Sequence, residues 1–381
     1  MKFQSAELYA IEIPMLVEVE HALASRKVAR NILLKITTSD GLTGFGESCP
    51  RQYVTGETFE QAWQTLTDEL LPLLKDLQGT TSEHLQDWLM MQTINLPRNK
   101  HAAFCALELA LLDIIGKQRQ CQAACLLATP SSSKQQYSGV IAVGQPEKAV
   151  AMATQIKQLG VPCSKIKLHQ ELDLNIHLLQ AVRDVLGPDH DLRGDANCAW
   201  QNADEAAAQL SELKRFGLNS IEQPLASEDL DGLAALTKAA ITPVMVDESI
   251  CSLADAETLI DQHACDFFNI RISKCGGLGN SHRIAQVAAD NGIGCQLGAQ
   301  VGETSCLSAA GLALATITPT LRWREGCFGT LLLAHDIFEP PLMLGPRALV
   351  EPLSGHGLGI DISPQLLSKC QQQHWQLDLE G

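Results

Sequence analysis

From about residue 134 onward the chain repeats one unit: a short apolar strand, a polar residue at its end, then an amphipathic helix. Strands are predicted at Tyr137–Val143, Ser164–Leu168, Asp191–Asp195, Ser220–Glu222, Val244–Asp247, Phe267–Ile272 and Ile293–Leu297. Helical periodicity lies between them at Glu147–Leu159, Leu174–Leu186, Ala203–Phe216, Asp229–Ala240, Leu253–Gln262 and Asn280–Asp290. Successive strands lie roughly 25–30 residues apart, the length of a βα unit. So many consecutive right-handed crossovers favour a closed barrel over an open sheet. The expected fold is α/β, a (β/α)7-8 modified TIM barrel, and its chemistry must sit at the C-terminal strand ends.

The residues before this rhythm read differently. Ala6–Pro14, Asn31–Thr37 and Leu42–Glu47 read as strands, with Asp40-Gly41 as a hairpin turn. Val17–Arg30 reads as a long polar loop, and Thr58–Leu77, Ser82–Met91 and Lys100–Lys117 as helices. The expected organisation is an α+β capping domain over 1–125, the barrel over 126–328, and a Pro- and Gly-rich segment over 329–381 that packs back on the cap.

Composition removes several classes of function. A formal net charge of −16 argues against nucleic acid and anionic membranes as partners. The thirteen cysteines are odd in number, and most lie in apolar segments, as in a reducing compartment. Cys121 and Cys125 have no second pair at zinc-site spacing. No apolar run is long enough to cross a bilayer, so the expected location is cytoplasmic.

The polar residues at the strand ends form a pattern. Lys165 and Lys167 are two apart on one strand, so both side chains share a face. Asp195, Glu222 and Asp247 follow on the next three strand ends, and Lys274 on the one after. Three acids converging in a barrel mouth repel one another unless a cation binds them. Oxygen-only donors with room for water and substrate suit Mg²⁺, with Mn²⁺ as a substitute. A cation beside a substrate carboxylate would stabilise the enediolate formed when the α-proton leaves. The base must be neutral, whereas a free lysine titrates near ~10.4; Lys165 beside it would lower the pKa of Lys167. Lys274 lies four strands round the barrel, on the other face of a bound substrate.

These residues resemble the enolase superfamily in its muconate-lactonizing-enzyme subgroup. The likeness covers cap, barrel and returning C-terminal segment. Lys165-Ile-Lys167, Asp195 with Asn197, Glu222 in Glu-Gln-Pro, Asp247-Glu248-Ser249 and Lys274-Cys-Gly-Gly carry it. Val54-Thr-Gly-Glu57 and the helix Ala106–Lys117 resemble the capping domain. The resemblance implies lysine bases with Mg²⁺, Asp195, Glu222 and Asp247 as ligands, a small-molecule carboxylate as substrate, and a homo-oligomer. It also implies supporting or substrate-binding roles for Asn197, Glu248, Asn269, Glu303, Arg51 and Tyr53, with specificity set by loops 16–30 and 48–55. No histidine stands at the seventh strand end, unlike the mandelate-racemase arrangement.

Substrate identity stays open at this stage. Dipeptide epimerases carry Asp-x-Asp near the eighth strand, where this chain has Gly326-Cys327-Phe328. Cys327-Phe-Gly-Thr-Leu-Leu-Leu is closer to muconate cycloisomerases, with Glu325 displaced by one position. Arg51, Arg322 and Arg324 could hold a second substrate carboxylate. The expected activity is an isomerase (cycloisomerase, racemase or epimerase) that abstracts a proton α to a carboxylate. A syn-dehydratase resembling o-succinylbenzoate synthase is the alternative, and a catalytically idle binding protein the remote one.

Overall fold

The computed structural model describes residues 1–21, 24–142 and 145–379. Val143, at the end of the first predicted barrel strand, lies outside them, as do residues 22–23 of the 16–30 segment and residues 380–381.

The N-terminal unit is an antiparallel sheet in the order Gln371–Asp378, Phe3–His21, Ala24–Thr38, Thr43–Ser48. The C-terminal strand thus pairs with the first, from Ser5 opposite Asp378 to Ile11 opposite Gln371. Beneath the sheet runs the helix His101–Gln118, buried almost all round. Its Ala- and Leu-rich sequence lets the strand Thr43–Ser48 settle directly on it. A Cβ on Gly46 would stand 1.9 Å from the Ala106 carbonyl oxygen, so only glycine fits there.

One expectation fails here. Val17–Arg30 is not a loop: the first two strands continue as a paired ribbon, with Val19 opposite Arg26 and His21 opposite Ala24. The ribbon projects beyond the sheet, and Leu16, Val17 and Val28 are exposed. Ala29 at its base is buried, but with Leu16, Val17 and Val28 exposed the sequence lacks the alternation that marks a half-buried strand. The predicted helix Thr58–Leu77 starts at a capping box between Thr58 and Gln61. It then passes through a π turn, Thr65–Leu70, into a 3-10 segment containing Pro72.

The barrel has eight parallel strands: Gly139–Ile141, Cys163–Lys167, Asp191–Asp195, Ile221–Glu222, Val244–Val246, Phe267–Ile270, Gly294–Leu297 and Leu321–Arg324. Each pairs with the next in chain order, and the Ser138 N–H donates to the Arg324 carbonyl at 2.8 Å to join the last to the first. The predicted set stops at Leu297. The structure adds the apolar helix Ser305–Ile317 and the eighth strand. That strand was hidden by its sequence, Leu-Arg-Trp-Arg, whose two arginines look like loop residues.

Candidate active site

Alternate residues of the barrel strands point inward and stack in layers. Cys163, Met245 and Trp323 pack at the bottom against Phe267. Above them lies a fully ionic layer. Glu325 accepts charge from Lys165 Nζ at 2.7 Å and Arg193 Nη1 at 3.0 Å. Trp323 and Glu325 therefore own the inner face of the eighth strand, and Arg322 and Arg324 point away from it. Arg322 is exposed, its guanidinium 4.8 Å from the Trp323 ring centroid. Neither arginine is available to a substrate in the mouth.

At the mouth the sequence-predicted residues converge. Lys165 Nζ is 3.1 Å from Asp195 Oδ2 and 3.1 Å from Glu222 Oε2. Lys167 Nζ is 2.7 Å from Asp195 Oδ2 and also contacts Asn197 Oδ1. Across the barrel, Lys274 Nζ is 2.7 Å from Asp247 Oδ1 and donates to the carbonyls of Asp247 and Asn269 at 2.6 and 2.8 Å. Each lysine of the expected pair thus touches a different acid, on a different side of the mouth.

Burial and charge oppose each other at these groups. Burial would lower the pKa of Lys165, but Glu222, Glu325 and Asp195 outweigh it and raise it. Lys165 is a fixed cation. Burial would raise the Asp195 carboxyl, yet Lys167 and Lys165 hold it well below the usual range. Burial pushes the pKa of Lys274 down, the direction a general base needs.

The carboxylates suit a hard divalent ion in kind and place. They stand on three neighbouring strand ends and offer only oxygen. Glu248, buried beside them, has both carboxylate oxygens without a hydrogen-bond partner, and burial followed by Asp195 raises its pKa to about 7. An added cation would satisfy it. Among the described residues, no three His, Cys, Asp or Glu side chains are drawn together as a finished metal cluster. Cations of the chain lie among the three acids instead: Lys165 between Asp195 and Glu222, and Arg271 against Asp247 with Nη2 3.9 Å from Glu222 Oε1.

The remaining predicted residues divide between the acids and the cap. Asn269 Nδ2 donates to Glu222 Oε1 at 2.8 Å, and Gln296 Nε2 to Oε2 at 3.2 Å. Gln296 was not anticipated, although its place inside the seventh strand would have indicated it. Glu303 is buried on the loop after that strand and accepts from the Gln300 N–H at 2.5 Å; burial raises its pKa to about 8. Arg51 is buried and already donates to the carbonyls of Pro50 (2.7 Å) and Val301 (2.6 Å) and to Asn31 Oδ1 (3.2 Å). It ties segment 48–55 to the seventh-strand loop. Tyr53 lies under Arg26, whose guanidinium is 5.6 Å from the ring centroid.

Four buried acids of the N-terminal unit also escaped the sequence reading. Glu57 accepts from the Ala102 and Ala103 N–H groups (2.7 and 3.0 Å), capping the helix His101–Gln118. Glu47 accepts from Thr304 and Leu307 N–H at the start of the helix Ser305–Ile317. Glu108 accepts from Leu278 and Gly279 N–H (2.5 and 3.0 Å) at the start of the helix Leu278–Asp290. Asp113 accepts from Phe45 and Leu358 N–H. Helix N-termini carry partial positive charge and unpaired N–H groups, which Glu47, Glu57 and Glu108 satisfy.

Comparison with known families decides the lineage. Residues 148–366 match the family described as Enolase C-terminal domain-like, and residues 7–128 the mandelate racemase / muconate lactonizing enzyme N-terminal domain. The chain belongs to the enolase superfamily. Within its muconate-lactonizing-enzyme subgroup, this enolase-superfamily chain is an isomerase. It is 29% identical over 373 residues to N-succinyl-L-Arg/Lys racemase of Bacillus cereus, covering 97% of this chain and 98% of that protein. The crystal structure of N-succinyl Arg/Lys racemase from that species superposes with a TM-score of 0.91 at 28% identity, covering 99% of this chain and 100% of that one. Hydrophobic dipeptide epimerase of Enterococcus faecalis is 29% identical over 364 residues, 94% of this chain and 99% of that protein. A dipeptide epimerase from Cytophaga hutchinsonii, solved with Mg and the dipeptide D-Ala-L-Val, superposes with a TM-score of 0.89 at 25% identity, covering 99% of this chain and 100% of that one. No helix among the described residues is long and apolar enough to cross a membrane.

Proposed function

We propose that this protein moves a proton on and off the carbon α to a substrate carboxylate, inverting that centre, with Lys167 and Lys274 as the two bases. The observation that carries this is the opposition of two lysines across one mouth. Lys167 stands on Asp195 at the second strand end, and Lys274 on Asp247 at the sixth. A proton taken on one side is returned on the other. Lys165 does not titrate in this scheme; its fixed charge, anchored by Glu325, faces the charge that develops on the substrate carboxylate. Asp195, Glu222 and Asp247 would hold Mg²⁺, or Mn²⁺ in its place, which would supply further positive charge beside that carboxylate. The magnesium in the Cytophaga hutchinsonii structure supports this reading.

The substrate fits an N-acylated amino acid better than one with a free ammonium. The eighth strand offers no free acid, because Glu325 is consumed by Lys165 and Arg193. On the cap side, Arg26 has a buried Nε without a partner; burial, with Arg51 nearby, lowers its pKa. This positive region suits an anionic substituent such as a succinyl group, in line with the racemase relative. The division into 1–125, 126–328 and 329–381 and the specificity role of segments 16–30 and 48–55 belong to the same proposal, as does assembly into a homo-oligomer. Incubating N-succinyl amino acids, dipeptides and muconates with the Mg²⁺-loaded protein in D₂O tests it. Deuterium at the α carbon with inversion is expected; loss of water would show a dehydratase instead.

A further inference from the structure

The turn that carries Lys274 is held from outside the barrel. Lys274-Cys-Gly-Gly leads into the helix Leu278–Asp290, with Gly276 at φ +79° and Gly277 at φ +117°. Two residues of the cap helix His101–Gln118 seize this turn, and they are seven positions apart, two helical turns along one face. His101 Nδ1 lies 2.8 Å from the carbonyl oxygen of Lys274 itself. The Glu108 carboxylate closes the turn's other end, on the N–H groups of Leu278 and Gly279. Contact is so close that a Cβ on Gly277 would fall 2.0 Å from Glu108 Oε2. A third tie comes from segment 48–55: the Cys49 N–H donates to Ser273 Oγ at 3.2 Å. Among the described residues, no comparable grip reaches Lys167, whose strand is paired on both sides within the barrel.

We infer that His101 and Glu108 are positioning residues for Lys274, so that the cap sets the geometry of one of the two bases and not the other. This rests on the two-lysine reading above. Lys274 is wholly buried and its Nζ makes three contacts, to Asp247 Oδ1, Asp247 O and Asn269 O. Releasing its backbone carbonyl and the helix start that follows shifts Nζ relative to the substrate. A misplacement on the order of 1 Å costs up to about a hundredfold in rate. Cap and chemistry are thereby coupled on one face of the substrate.

The test compares the two faces. α-Proton exchange in D₂O is followed by NMR for N-succinyl-D-arginine and N-succinyl-L-arginine separately, with wild type, Lys167→Ala, Lys274→Ala, Glu108→Gln and His101→Phe, all Mg²⁺-loaded. Each lysine variant is expected to abolish exchange from one enantiomer. Glu108→Gln and His101→Phe are expected to slow the Lys274-dependent enantiomer by about ten- to a hundredfold while leaving the other close to wild type. Equal loss from both enantiomers, or no loss, overturns the inference. If Lys274→Ala spares both enantiomers, the two-base reading itself has failed. A second measurement needs no substrate: acetylation by an amine-reactive ester, mapped by mass spectrometry. Lys274 is expected to label several-fold faster in Glu108→Gln with Lys167 unchanged; parallel changes, or none, count against the inference. Should Glu108→Gln not fold, Glu108→Asp, with the charge kept on a shorter arm, is read the same way.

Discussion

Glu325 Oε2 lies 2.7 Å from Lys165 Nζ, inside the barrel beneath the three candidate ligands. Its other oxygen faces Arg193 Nη1 at 3.0 Å. Burial would raise the Glu325 carboxyl, but Lys165 and Arg193 pull it down, so a charged triad stands where most barrels place apolar side chains. Glu325→Gln leaves Lys165 and Arg193 short of an anion in a dry interior. Removing one partner of a buried pair costs about 3–5 kcal/mol. Urea unfolding should show a loss of that size; a loss under about 1 kcal/mol would mean that the triad behaves as a solvated surface pair.

Divalent cations should stabilise the folded protein through the mouth carboxylates. Titration calorimetry should detect Mg²⁺ binding to wild type, and thermal unfolding should shift upward with added Mg²⁺ by mass action. Asp195→Asn, Glu222→Gln and Asp247→Asn should each abolish both signals. Persistence of wild-type affinity in any of the three would remove that residue from the ligand set.

The buried acids that fasten helix starts make stability depend on pH. Burial raises Glu47, Glu57 and Glu108 to about 7, against backbone N–H groups that lower them. An unfolded glutamate titrates near ~4.3. A folded pKa above the unfolded one means stability that is complete below ~4.3 and lost as pH rises through about 7. Unfolding free energy of the metal-free protein should therefore fall between about pH 4.3 and pH 7. Glu57→Gln should remove on the order of 3–4 kcal/mol of that fall. A slope that is unchanged in Glu57→Gln would show that its carboxyl does not titrate in that window.

Much of the site was legible because a barrel turns linear spacing into geometry. Lys165, Lys167, Asp195, Glu222, Asp247 and Lys274 needed only the βα period to be placed on one rim. Glu325 was harder: a displacement of one residue along a strand swaps faces, and it puts this acid under Lys165 and takes Arg324 out of the mouth. In the ribbon at 16–30 Leu16, Val17 and Val28 face solvent, so its strands left no periodic trace. The hydrogen bonds of Arg51 to Asn31 and Val301 could not be read from the sequence, because they join segments far apart along the chain. Glu57 and Glu108 lay within motifs noted for their likeness to a capping domain, but their partners are backbone N–H groups, which have no sequence signature.

The central claim is that two lysines on opposite faces share one proton transfer. It is tested most directly by following each enantiomer of an active substrate in D₂O with Lys167→Ala and Lys274→Ala. Each variant should stop racemisation, while α-proton exchange survives in one enantiomer only, and in opposite enantiomers for the two variants. If both variants still interconvert the enantiomers at the wild-type rate, the two-base account is wrong.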